Sequence, residues 1–157
     1  MISPNEGNES AASSVNLTDL VAKVFKPGGW LQEALSLEHR PEQDTMATTV
    51  SQSMSRDQAL IFEAGTGVGK SLAYLIPGII HSIESKRPAV ISSNTIALQE
   101  QIQQKDLPIC RELFQAIPEL NAYADFKSTL LVGKGNYLCP TRLGNAIANK
   151  TELFPND

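Results

Sequence analysis

Apolar residues along this chain fall into two kinds of pattern. Leu17, Leu20, Val21 and Val24 recur at the three- and four-residue spacing of an amphipathic helix, until Lys26-Pro27-Gly28-Gly29 breaks the series. A second helix is predicted from about Pro41 to Met54, with proline in the first turn, where its missing N–H leaves no intrahelical bond unmade. Ala59-Leu60-Ile61-Phe62-Glu63 differs: it is a short apolar run that stops at a glycine cluster, and it reads as a buried strand. Beyond the glycines, Lys70 to about Ser85 is apolar enough for a core helix, with Pro77 expected to kink or interrupt it. Ala89-Val90-Ile91-Ser92 predicts a second strand and Thr129-Leu130-Leu131-Val132 a third, with helices from Ala97 to about Gln104 and from Leu107 to Ile117 between them. Strands alternating with helices imply crossover connections, so the expected fold class is α/β with a parallel sheet. No internal repeat is visible.

Composition narrows the class without naming a function. With 157 residues, 41% hydrophobic and 19% charged, the chain is long enough for one compact core. A formal net charge of −4 gives no basic footprint for a polyanion over the whole chain, so any nucleic-acid contact has to be local. No apolar run approaches the roughly 20 residues of a spanning helix, and residues 1–16 are polar and acidic where a secretory signal is basic and then apolar. These features predict a flexible leader over 1–16, a cytoplasmic location, no membrane partner and no oligomer. Two cysteines, Cys110 and Cys139, cannot build a disulfide framework and are expected as free thiols or a metal ligand.

The chemistry begins at Ala64-Gly65-Thr66-Gly67-Val68-Gly69-Lys70-Ser71, a phosphate-binding P-loop pattern with Ala64 in place of the usual first glycine. Small residues are needed because successive backbone N–H groups must curl around a phosphate, and glycines permit positive φ and close approach. Lys70 is expected to reach the β- and γ-phosphates and Ser71 to ligate Mg²⁺, with the following helix adding its N-terminal dipole. Average residue usage puts a chance match at about one in a hundred for a chain this long.

A P-loop alone does not separate kinases, GTPases and motor ATPases. Gln43, in His39-Arg40-Pro41-Glu42-Gln43 with Met46 following, resembles the adenine-recognising Q motif of superfamily 2 helicases. A glutamine amide donates and accepts together, which suits the N6 and N7 edge of adenine. Ile91 to Gln101 resembles motif Ia of the DinG- and XPD-like helicases, in which Ser93, Asn94, Thr95 and Gln99 would touch the DNA backbone without net charge. Gly133 to Leu143 resembles the segment that introduces the iron–sulfur domain of that group, with Cys139 at the first cluster position and Gly135 where an arginine is usual. Glu63-Ala64 and Asp106-Leu107-Pro108 extend the likeness, which runs from about Trp30 to Leu143. The resemblance implies the front end of an ATP-dependent DNA helicase. It further implies an incomplete RecA-like motor domain over 17–132 and the start of an iron–sulfur insertion over 133–157. ATP, Mg²⁺ and DNA are the implied ligands, Arg40 and Gln43 joining the loop around the nucleotide. The implied 4Fe–4S cluster would belong to a full-length parent, which would unwind in the 5′ to 3′ sense.

Other residues are expected to be ordinary: Cys110 a core residue, Trp30 a packing residue, His39 and His81 structural or solvated. Hydrolysis in this class needs a second carboxylate motif, an apolar strand ending in Asp-Glu, and residues 72–157 contain none. The sequence therefore reads as a truncated product that binds nucleotide weakly at best. The alternatives are a stand-alone ATP-binding or regulatory module, another P-loop ATPase or kinase, or a chain that does not fold stably.

Overall fold

A computed structural model describes residues 16–149. The predicted leader, apart from Asn16, and the end of the predicted iron–sulfur segment lie outside these residues. The chain divides into two units, one reaching Lys127 and one beginning at Ser128.

In the first unit, α1 (Leu17–Phe25) is capped by Asn16, whose Oδ1 accepts from the backbone N–H groups of Thr18 and Asp19 at 3.1 and 3.3 Å. A short α2 (Trp30–Leu35), absent from the sequence reading, follows the Pro27-Gly28-Gly29 break. The helix predicted from Pro41 is α3 (Pro41–Ser55), and the predicted core helix is α4 (Lys70–Ser85), which runs through Pro77 without interruption. The two helices predicted on either side of Gln104 are one continuous helical stretch. It consists of α5 (Ile96–Gln101), a π-helical turn over Ile102–Asp106, and α6 (Leu107–Ala116). Pro108 has no N–H for the carbonyl one turn back and its ring crowds that carbonyl, and widening the preceding turn is how a helix continues past such a residue.

The expected α/β fold, with its RecA-like parallel sheet, is not what the chain forms. Among the described residues there is no strand, and the three predicted strand segments are extended links without backbone hydrogen-bonded partners. Ile61 is fully exposed, Val90 is 89% exposed and Leu131 is 77% exposed, whereas a central strand buries alternate or all side chains. A strand needs a neighbouring ladder to satisfy its amides, and a short apolar run carries no information about whether that neighbour exists.

Helices supply the core instead. Val21 and Val24 of α1, Ala47 and Val50 of α3, and Leu75, Ile76 and Ile80 of α4 are buried together with Cys110, Leu113 and Phe114 of α6. α3 packs against both α1 and α4, and α6 packs against α2 and α4. Pro118–Tyr123 forms a 3₁₀ turn that closes over α6, where Phe114 meets Tyr123 and Phe126 edge to face at centroid separations of 6.2 and 6.1 Å. The Tyr123 hydroxyl donates to Glu84 at 2.7 Å, tying that turn to the end of α4. In the second unit a 3₁₀ turn (Lys134–Asn136) precedes α7 (Pro140–Ala148), and the Tyr137 hydroxyl accepts from the Val132 N–H at 3.2 Å.

Burial pushes the Cys110 thiol from 9.0 up to about 12, with the charge of Asp106 adding to the rise. The folded state therefore holds this proton more tightly than the unfolded state. Its contribution to stability is complete below pH 9.0 and is lost as the pH climbs towards about 12. Tyr74 and Tyr123, also raised by burial, act in the same direction at higher pH. Chemical denaturation across this range is expected to show a falling midpoint, with a shallower fall in Cys110→Ala. Identical slopes would mean that the thiol is not protected by burial.

Candidate functional site: the glycine-rich loop and its α3 support

The segment from Ala64 to Ser71 crosses from an extended link into α4. Gly67 and Gly69 have φ of +81° and +83°, a region that costs any residue with a Cβ, so the loop's path depends on glycine at these two places. Gly69 is the residue before α4, and no side chain caps the helix there. The first-turn amides of α4 therefore lack a side-chain acceptor, and together with the helix dipole they favour an anion.

Three side chains hold the loop by its carbonyls. Lys70 turns back and donates from Nζ to the carbonyls of Ala64 (2.9 Å) and Gly65 (2.8 Å). Arg40, the residue before α3, donates to the Gly67 carbonyl. Gln43, the third residue of α3 and only 7% exposed, donates from Nε2 to the Gly69 carbonyl at 2.8 Å. Ser71 sits half-buried beside Tyr74. Burial raises the Tyr74 phenol, the Ser71 hydroxyl hydrogen-bonded to it opposes the rise, and Asp106 adds to it.

Beside the loop lies a cavity of about 630 Å³, walled by residues 62–68 and by Arg40, Pro41, Glu42 and Thr45 at the start of α3. The structure thus brings Arg40 and the loop residues Ala64, Gly65, Thr66, Gly67 and Val68 onto one cavity, with Gln43 and Gly69 in contact behind it. Thr45 and Phe62 were given no site role in the sequence, and Glu42 and Glu63 entered the resemblance with no role at the site. Phe62 and Glu63 precede the loop directly, and Glu42 and Thr45 are three residues apart on α3, so helical spacing from the Arg40-Pro41 start was the signal that could have found the latter pair.

The other predicted residues group separately. Thr95 caps α5 by accepting from the Leu98 N–H at 3.3 Å, and Gln99 reaches back from Nε2 to the Ser93 carbonyl at 3.4 Å. Ser93, Thr95 and Gln99 therefore form one knitted turn, with Asn94 exposed on it and the Gln99 Oε1 buried without a partner. Cys139 is exposed immediately before α7 in the second unit. Among the described residues, no three of His, Cys, Asp and Glu come together in a way that could hold a metal ion.

The chain that carries this loop is helicase-related by sequence similarity. It is 40% identical over 115 residues to the ATP-dependent helicase DinG of Mycobacterium tuberculosis, and 40% identical over 106 residues to the ATP-dependent DNA helicase DinG of Escherichia coli. The corresponding Salmonella typhimurium helicase is 41% identical over 106 residues. These matches cover 66–73% of this chain, which is a DinG-like segment, and 14–17% of the length of the relatives. No protein-family model and no solved structure matches the chain.

Gly67→Ala and Gly69→Ala are expected to differ. Both incur the left-handed backbone penalty of about 1–2 kcal/mol. A Cβ at Gly67 meets nothing within 4 Å, whereas one at Gly69 would come within 2.4 Å of the Gln43 Nε2 and push the amide off its carbonyl. Denaturant titrations should therefore show Gly69→Ala as the more destabilised; equal losses would mean that the Gln43 contact contributes nothing.

Proposed function

We propose that this chain binds ATP with Mg²⁺ through Ala64 to Ser71, and that in a full-length DinG-like helicase the same segment forms the nucleotide side of the site that drives DNA unwinding. The observation that carries this reading is the loop itself. Two positive-φ glycines lead into the uncapped start of a 16-residue helix, with a lysine at its first position and a 630 Å³ cavity alongside. Lys70 now satisfies two neutral carbonyls, and a phosphate oxygen is the stronger acceptor for an ammonium, so ligand binding would redirect it rather than require a new charge. Arg40 on the cavity wall offers a second cation, and Ser71 offers a hydroxyl to Mg²⁺ at the helix start.

Hydrolysis needs a carboxylate to hold the metal and orient water, and residues 72–157 contain no apolar run ending in Asp-Glu. Turnover accordingly belongs to the full-length relative in this reading. There, Ser93, Asn94, Thr95 and Gln99 would meet the DNA backbone with neutral donors, which fits an acidic chain, and Cys139 would be one ligand of an iron–sulfur cluster.

Calorimetric titration of the chain with ATP in magnesium buffer tests the proposal. Binding should be measurable, and Lys70→Ala should weaken it by about tenfold or more, the scale of a lost charge-assisted hydrogen bond. Equal affinity in wild type and Lys70→Ala would remove the loop from the site.

A further inference from the structure

Gln43 occupies an unexpected place for a base-reading residue. Its neighbours Arg40, Glu42 and Thr45 line the cavity beside the loop, but its own side chain does not. It is 7% exposed, and Nε2 is committed to the Gly69 carbonyl at 2.8 Å. The fit is close: a Cβ on Gly69 would fall 2.4 Å from Nε2 and 3.0 Å from Cδ. Gly69 is in turn the left-handed residue whose ψ aims the first amides of α4.

We propose that Gln43 is a positioning residue for the phosphates: by holding the Gly69 carbonyl it fixes the path of the loop into α4, and so acts on the triphosphate rather than on the base. The inference rests on the reading that the loop binds phosphate, and deepens it. α3 is the lever, since Met46, Ala47 and Val50 anchor it in the core a turn or two beyond Gln43. A fixed Gly69 carbonyl means a fixed Lys70 N–H on the far side of the same peptide plane, because the peptide unit is rigid. Arg40 acts on the Gly67 carbonyl in the same manner from the end of the same helix. A ligand without a base must therefore register the loss of the Gln43 amide as strongly as ATP does.

The test titrates the full chain calorimetrically, in magnesium buffer, with inorganic tripolyphosphate and with ATP. Wild type is compared with Gln43→Met, which keeps the length and burial of the side chain but has no donor. Gln43→Leu is a second donor-free variant should the first not fold, and thermal melts establish which are folded at the titration temperature. The expected result is an equal loss of affinity for both ligands, roughly three- to tenfold, the scale of one net hydrogen bond. A loss for ATP alone, with tripolyphosphate binding unchanged, would assign Gln43 to the base and overturn the proposal while leaving the phosphate reading intact. Absence of tripolyphosphate and ATP binding in wild type would overturn the phosphate reading and this proposal with it.

Discussion

The packing of α3 between α1 and α4 is the constraint on which the candidate site depends. One face of α3 carries Met46, Ala47 and Val50 into the core, and its N-terminal end carries the preceding Arg40 and the first-turn Gln43 to the loop that opens α4. The loop has no regular hydrogen bonding of its own, and its glycines leave it conformationally free. Three side-chain donors, two of them from α3, replace the order that a ladder would supply. Core packing and loop geometry are thus one problem.

In the proposed reading, the same economy lets an acidic chain present an anion site. The cations at the loop, Lys70 and Arg40, are held on backbone carbonyls, which are neutral and readily exchanged for a phosphate oxygen. Two carboxylates, Glu42 and Glu63, line the same cavity and keep the local charge from being simply basic. An anion bound there would be held by directed amides and by two cations at fixed positions, not by a diffuse positive field.

Those parts of the molecule with residue-specific chemistry were legible in the sequence. Glycine at 67 and 69 and lysine at 70 announced a tight turn into a helix, and Pro41 marked the start of α3 at the residue where it begins. The 27-residue interval between Gln43 and Lys70 gave no contact by itself, yet the two ends of it meet at the loop. The sheet was misread because Ala59 to Phe62, Ala89 to Ser92 and Thr129 to Val132 show only that these stretches are apolar and brief. Pairing is a property of what lies beside a strand, and these stretches are links without backbone partners whose side chains are mostly exposed, Phe62 and Val132 being half-buried. α2 was missed because six residues are too few to show a period, and the join through Ile102–Asp106 because Pro108 reads locally as a boundary.

The central claim is that a loop positioned by α3 receives phosphate through its backbone amides. Two-dimensional ¹H–¹⁵N NMR of the labelled chain, titrated with ATP in magnesium buffer, addresses it directly. The account predicts that the largest shifts fall on the amides of Gly65 to Ser71, with the Gln43 side-chain amide moving alongside them and the α1 and α6 amides still. Shifts centred outside the loop, or none at saturating ATP, would contradict it.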